Sequence, residues 1–278
     1  MPSRPPSPPL TGSRPVGAWD ESDAARRVRE MFARIAPRYD LLNHVLSFGL
    51  DVVWRRRAAH RFRHILGQPG ARVLDLCCGT GDLALALAQR ARSERRQVHT
   101  GASAALMVCV DFARPMLVRA RKKVASDRRG TPTSAEPFAF CFLEADALGL
   151  PFPEGSFDLV TAAFGFRNLA NYGQGAREIA RVLRPGGELG LLEFAEPAGW
   201  TAPLCRFYVR RLLPRIGGAV SGDPGAYHYL PASVASFLAP EAVTRLLTAS
   251  GFVDVRVELW ACGLVAFYAA RKASSAGG

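Results

Sequence analysis

The sequence predicts an α/β domain with a mainly parallel sheet of seven strands, closed by an antiparallel pair at its C-terminal end. Two observations carry that prediction. From Gly70 onward, short apolar runs alternate with amphipathic stretches at helical spacing, the pattern of strands joined by crossover helices. The last two apolar runs lie only a few residues apart, too close for a crossover, so they pair antiparallel. A third feature, a glycine-rich turn between the first run and its helix, places a ligand site at the carboxyl end of the sheet.

The elements follow in order. Residues 1–18 are rich in Pro, Ser and Gly with no apolar period, and read as a disordered tail ahead of a single domain over 19–278. From about Asp20 the pattern is helical, with Val28, Met31, Phe32 and Ile35 on one face, and it stops at Ala36-Pro37, where proline disfavours helix in the residue before it. A second amphipathic piece covers Asp40 to Phe48, and a third runs from Asp51 to Leu66 and ends at Gly67. Strands are expected at Arg72–Leu76, Leu106–Val110, Ala139–Glu144, Phe157–Ala163 and Glu188–Glu193, with helices at Asp82–Arg92, Pro115–Ser126 and Gln174–Leu183 between them. Arg184-Pro185-Gly186-Gly187 reads as a turn. Residues 199–238 interrupt the alternation. The chain then closes with a helix near Pro240–Ser250 and strands at Val253–Leu259 and Gly263–Ala270.

Composition excludes several classes. No run approaches the roughly 18 apolar residues of a membrane-spanning helix, and the start lacks the apolar core of a secretory signal, so a cytoplasmic location is expected. Six cysteines show no CxxC spacing and read as reduced, mostly buried thiols; no His/Cys cluster has metal-ligand spacing, so no metal is expected. The formal charge of +12 can signal nucleic acid or an anionic membrane. Only three of the 36 cationic residues are lysines, a usage that fits a compositional bias equally well. A nucleic-acid methylating enzyme would carry an aromatic-flanked motif such as NPPY or paired catalytic cysteines, and neither occurs.

The chemistry-bearing residues sit at successive strand ends. In Val73-Leu74-Asp75-Leu76-Cys77-Cys78-Gly79-Thr80-Gly81-Asp82, Gly79 and Gly81 let a ligand pass close to the backbone. The full GxGxxG spacing of a pyrophosphate-binding turn is missing, and Asp75 at the strand end suits a positively charged group or an ordered loop better than phosphate. Asp111 ends the second strand, where a carboxylate accepts both hydroxyls of a ribose. Asp146 after the third strand can meet an adenine amino group while Ala147 offers its amide. A sulfonium nucleoside satisfies all of these.

With those residues in view, the chain resembles the ubiquinone/menaquinone biosynthesis C-methyltransferases from about Val28 to Lys272. The resemblance is carried by MFARIAPRYDLLNHVLSFGLDVVWRR (31–56), VLDLCCGTGDLA (73–84), DFARPML (111–117), ADALGLPFPEGSFDLVTAAFGFRNL (145–169), RVLRPGGELGLLEFAEP (181–197), LPRIGG (213–218) and AYHYLPASVASF (226–237). FGFRN, LEFAEP and YHYL are the narrow motifs. The resemblance implies a Rossmann-like class I methyltransferase fold, S-adenosyl-L-methionine as cofactor, and methyl transfer to a ring carbon of a polyprenylated quinol. Demethylmenaquinol is the first substrate expected and a methoxy-polyprenyl-benzoquinol the second. It also implies that 19–69 forms a helical lid and 199–238 a substrate-side insert. The family's cofactor contacts fall on Thr80, Asp111 and the Asp146–Ala147 pair; Ala163 stands where a serine is common.

A quinol carbon becomes nucleophilic when an adjacent hydroxyl loses or shares its proton, so a base or a cation near the ring oxygen is expected. Arg167 and Asn168 should face the cleft, unless Arg167 instead pairs structurally with Glu193 or Asp40. The base stays open among Tyr39, Asp40, His44, Tyr227 and His228. Because the substrate's tail resides in lipid, the basic and apolar segment 203–217, with Arg206, Arg210, Arg211 and Arg215, is a candidate contact with anionic membrane at the inner face, or else an amphipathic helix that covers the sheet or a homodimer partner.

Overall fold

A computed structural model of the chain describes residues 12, 13, 15, 17–95, 105–128, 137–197, 229 and 232–274. The N-terminal third is helical: α1 (Glu21–Ile35), a 3-10 turn (Ala36–Arg38), α2 (Tyr39–Leu46), α3 (Leu50–Arg61) and α4 (Arg63–Leu66). Asp20 caps α1, its carboxylate accepting the Asp23 N–H at 2.8 Å. α1 stops at Ile35, as the Ala36-Pro37 break predicts; Pro37 sits in the first turn of the 3-10 segment, where its missing N–H costs nothing, and α2 follows. The third expected helix is split at Phe62, whose ψ of 17° breaks the helical run.

The sheet contains β1 (Arg72–Leu76), β2 (Ala105–Asp111), β3 (Phe138–Glu144), β4 (Phe157–Ala163), β5 (Leu183–Phe194), β6 (Phe252–Trp260) and β7 (Val265–Lys272), in spatial order β3-β2-β1-β4-β5-β7-β6. Neighbours from β3 to β5 are parallel, and β7 lies antiparallel to both β5 and β6. Helices α5 (Asp82–Arg95), α6 (Arg114–Asp127), α7 (Tyr172–Val182) and α8 (Pro240–Ala249) cover its faces. One difference from the expected elements is β5. It starts at Leu183, directly after α7, rather than after a separate turn. Leu183 pairs with Phe157 and Glu188 with Leu159, so the intervening RPGG bulges out of a strand that continues past it.

Strand alternation divides the core in two. Val73, Met107 and Leu159 face α3, α4 and α5, while Leu74, Val108 and Val160 face α7 and α8. Winding reverses between β1 and β4, and open α/β sheets bind ligands in the crevice at such a switch point. The thiols differ from the expected burial: Cys78 and Cys109 are buried and Cys77 half-buried, but Cys141 and Cys262 are exposed and Cys205 lies outside the described residues. No helix among the described residues is long and apolar enough to cross a membrane.

The α3–α4 break seats Phe62 against β5 at Gly190, where a Cβ would stand 2.5 Å from the ring edge. Gly190→Ala should therefore destabilise the fold by about 1–3 kcal/mol through overpacking. Urea unfolding checks this: the midpoint should fall, and Phe62→Leu added to Gly190→Ala should recover part of the loss.

Candidate functional site

The site begins where β1 ends. Cys77 and Gly79 turn the chain through φ values of +52° and +54°, and Gly81 follows at +84°. The Cys78 N–H donates to the Val110 carbonyl at 2.9 Å and the Gly79 N–H to Asp111 Oδ2 at 2.9 Å, so the loop is fastened to the end of β2. Gly81 must stay small as well as left-handed, because its Cβ would come within 3.1 Å of Ala120 on α6. Asp111 Oδ1 accepts the Ala113 N–H at 2.8 Å, the turn into α6. One buried carboxylate thus joins both loops.

Between these loops and the helical N-terminal segment lies a largely apolar cleft with a few polar groups on its wall, the character of a small-molecule site. Its wall brings together Tyr39, Gly79, Asp111, Asp146, Ala147 and Asn168 from the sequence-derived set, with Phe32, Phe112, Met116, Leu148 and Leu169 as apolar surface. A smaller adjoining cavity shares Tyr39, Cys77, Gly79 and Ala163 with it and adds Arg55, Asp75, Thr80 and Asp82. Burial raises Asp111 to about 6 against the hydrogen bonds from Ala113 and Gly79, and raises Asp75 to about 7 against those from Thr161 and Ala84. Since Asp75 is raised above its unfolded-state value, the native state holds the extra proton, and this group costs stability as pH climbs from about 4 to 7. Exposed Asp146 accepts the Leu148 N–H at 2.9 Å and shapes the turn after β3.

Other residues of the set are placed differently. Asp75 lies fully buried beneath the loop, accepting the Ala84 N–H at 3.1 Å and the Thr161 hydroxyl at 3.0 Å, so it ties α5 and β4 to β1. The Thr80 hydroxyl is occupied: it donates to Asp40 Oδ1 at 2.5 Å and accepts from Lys123 Nζ at 3.1 Å. Asp40 is therefore not on the cleft wall but in an ion cluster, with Lys123 Nζ 2.8 Å away and Asp82 joining the same ammonium at 2.5 Å. Arg167 is buried behind the wall. Its Nη1 pairs with Glu193 Oε2 at 3.1 Å and donates to the Phe164 carbonyl, and its backbone N–H donates to Glu193 Oε1. The pairing with Glu193 foreseen as the alternative is the one that forms, and it holds the 3-10 turn Phe166–Asn168 in place.

Asn168 keeps its place at the cleft. Its Nδ2 donates to the Phe164 carbonyl at 3.2 Å, and its Oδ1 accepts the Tyr229 hydroxyl at 3.0 Å. Ser13, within the stretch read as a tail, is buried here: its N–H donates to the Leu169 carbonyl at 2.7 Å and its Oγ lies 2.8 Å from the Tyr229 oxygen. Tyr227 and His228 lie outside the described residues. His44 Nδ1 sits 2.9 Å from Asp51, away from the cleft.

The family model for the ubiE/COQ5 methyltransferase family matches residues 20–272. The chain belongs to this family. It is an S-adenosylmethionine-dependent methyltransferase. Among its relatives, demethylmenaquinone methyltransferase of Thermus thermophilus is 49% identical over 239 residues, covering 86% of this chain and 98% of that protein. The enzyme of the same name from Deinococcus radiodurans is 48% identical over 239 residues, covering 86% and 89%. The ubiquinone/menaquinone biosynthesis C-methyltransferase of Geobacter sulfurreducens is 39% identical over 260 residues, 93% of each chain. Among solved structures, the [4+2]-cyclase SpnF superposes with a TM-score of 0.60 at 18% identity, over 96% of this chain and all of that one, a likeness of fold.

The family member's cleft fits its cofactor. The Gly79 and Ala113 amides bond Asp111, the Phe112 amide also acts on it, and the carboxylate still lines the cleft, where acceptor capacity beyond these amides suits a diol. The neighbouring wall of Phe112, Met116, Ala147 and Leu148 offers a flat ring an apolar slot. Sequence reasoning missed Lys123, Arg55 and Asp82, because partners brought together by α3, α5 and α6 leave no spacing signature; the rarity of lysine was the one available hint at Lys123.

Lys123 ties α2 to the glycine loop, so Lys123→Met should release that edge of the cleft and leave two carboxylates facing each other. The side chains are partly exposed, and the cluster is worth about 1 kcal/mol. Stopped-flow displacement should show cofactor dissociating about three- to tenfold faster, the effect shrinking in high salt and being restored by Lys123→Arg.

Proposed function

We propose that the enzyme methylates a ring carbon of a polyprenylated quinol, with demethylmenaquinol as the preferred acceptor. The observation that carries the reading is the pair of relatives, 48–49% identical over most of this chain, both named demethylmenaquinone methyltransferase. The relatives near 40% identity that bear the joint ubiquinone/menaquinone name support the second acceptor, a methoxy-polyprenyl-benzoquinol.

The bound sulfonium supplies the methyl group and leaves as a neutral thioether. This chain's residues have to orient, desolvate and handle a proton. Asp111 would hold the ribose hydroxyls and Asp146 and Ala147 the adenine edge, and the Gly79-Thr80-Gly81 backbone would border the rest of the cofactor. The smaller cavity would receive the amino-acid end: a cationic ammonium near Asp75 would draw that carboxyl back toward its ionised form, and Arg55 suits the carboxylate. On the acceptor side, Asn168 retains one free amide N–H after its bond to Phe164, placed to donate to a ring oxygen as negative charge develops there. Arg167, through Glu193, is a positioning residue for Asn168.

Burial raises the Tyr39 and Tyr229 phenols, so both remain neutral near pH 7 and serve as hydrogen-bond donors rather than bases. Asp40 serves the lid, and Tyr227 remains a proposed catalytic residue from the sequence. A nucleic-acid acceptor is disfavoured because the polar part of the cleft is carboxylate, which repels phosphate. The acceptor's tail implies peripheral contact with an anionic bilayer; the segment 203–217, expected from the sequence to make it, lies outside the described residues, as does any homodimer surface there.

The test pairs two acceptors with methyl-labelled cofactor. Short-tailed demethylmenaquinol should be labelled faster than the methoxy-benzoquinol, and Asn168→Ala should lower kcat by about tenfold or more while leaving cofactor affinity unchanged. Labelling of the benzoquinol alone reverses the order, and labelling of neither overturns the proposal.

A further inference from the structure

Half of the exposed large apolar side chains among the described residues fall within thirteen positions: Leu41, Val45, Phe48, Leu50 and Val53. They form the tip of the α2–α3 hairpin. Leu41 and Val45 stand one turn apart on α2, Phe48 occupies the connection, and Leu50 and Val53 lie on the first turn of α3. Scattered exposed apolar residues are ordinary, whereas a contiguous group marks an interaction surface.

The tip is also built to stay exposed. Phe48 is 75% exposed and adopts φ of +52°, a left-handed conformation that a bulky residue enters only at a cost. Beneath it the turn is braced. The Gly49 N–H donates to the His44 carbonyl at 2.8 Å, the Ser47 hydroxyl to Asp51 Oδ1 at 2.7 Å, and His44 Nδ1 and Arg55 both bond Asp51 Oδ2. A cross-braced turn thus holds an aromatic ring outward in a strained conformation, the kind of local cost that persists where a surface has a use.

Charge indicates what the tip meets. Residues 41–50 carry no charged side chain, counting histidine as neutral, but the flanks are basic: exposed Arg38 is one turn before Leu41 and exposed Arg56 one turn after Val53. Over 34–61 there are six arginines and two aspartates; Arg55 pairs with Asp51, and Arg57 and Arg61 pair with Glu258, so the basic collar at the tip itself rests on Arg38 and Arg56. An apolar point with a basic collar suits a bilayer interface with anionic headgroups, where side chains such as Phe and Leu enter the acyl boundary and arginine stays at phosphate level.

We infer that the α2–α3 tip is the surface by which this enzyme docks on an anionic bilayer. The inference deepens the proposed quinol reading and rests on it only for its purpose. Tyr39, on the cleft wall, begins the helix whose other end is this tip, a span of roughly 12 Å. Docking there sets the cleft about one short helix from the lipid that holds a polyprenyl tail. It also joins the membrane contact to the lid, because Asp40 on the same helix is fastened to Lys123 and Thr80.

The full-length protein is tested by cosedimentation with phosphatidylglycerol/phosphatidylcholine vesicles and with pure phosphatidylcholine vesicles. Binding should favour the anionic vesicles, fall at least tenfold in Phe48→Ser/Leu50→Ser, and lose most of its salt dependence in Arg38→Gln/Arg56→Gln. Both variants should keep cofactor affinity and turnover of a short-tailed, water-soluble quinol, while turnover of a long-tailed quinol embedded in vesicles falls with the loss of binding. Unchanged vesicle binding in the Phe48/Leu50 variant overturns the assignment. So does a variant that converts a dimer to a monomer with vesicle binding intact, since the face would then join two copies of the chain. Failure to methylate any quinol would sink the functional reading, whereas the docking surface stands or falls on vesicle binding alone.

Discussion

The carboxylate of Asp111 is the constraint on which the site depends. It ends β2, is 7% exposed, and accepts the Gly79 amide from one loop and the Ala113 amide from the next. Burying a carboxylate is costly unless donors converge on it, and here the two donors are the loops that frame the cleft. The carboxylate therefore sets the distance between the glycine turn and α6, and it also lines the cleft. Asp75, one strand over, does a related task from below by joining β1 to β4 and α5. Two acidic residues at neighbouring strand ends thus divide the work: Asp75 braces the floor, and Asp111 joins the two loops and lines the cleft.

The helical N-terminal segment closes the opposite side by a different kind of force. Its apolar contacts at Phe32 and Tyr39 pack against Ala113 and Met116, while Asp40 meets Lys123, Thr80 and Asp82 in a partly exposed ion cluster. Such a cluster contributes about 1 kcal/mol, far less than a core contact, so this is the more weakly held side of the cleft. Asn168, by contrast, is held rigidly through the buried Arg167–Glu193 pair and the Tyr229 hydroxyl. Orientation is built into the permanent part of the fold and access into its weaker part.

Much of this was legible in the residues. Strand alternation, the glycine turn and the carboxylates at strand ends are local signals, so the sheet and the placement of Gly79, Asp111, Asp146 and Ala147 on one wall followed from them. The first helix ends before Ala36-Pro37 as read, but boundaries differ where local and tertiary preferences disagree: Phe62 breaks a helix that periodicity ran together, and RPGG bulges inside β5 because pairing resumes at Glu188. Side-chain direction was the less legible part. Arg167 looked as available as Asn168 in FGFRN, but Glu193, twenty-six residues later, turns it inward. Nothing near Thr80 or Asp40 announces that Lys123 engages both, since that contact exists only once α2 and α6 have packed.

The central claim, that Asp111 organises the cofactor site as an ionised acceptor, is tested most directly by the pH dependence of S-adenosylhomocysteine affinity. Burial raises this carboxyl to about 6, and protonation removes acceptor positions that a ribose diol needs. Calorimetric titration should give level affinity above about pH 7 and a fall of up to about tenfold per pH unit below about 6, with Asp111→Asn weak and flat throughout. A wild-type affinity that stays level from about pH 5 to 8 would contradict the account.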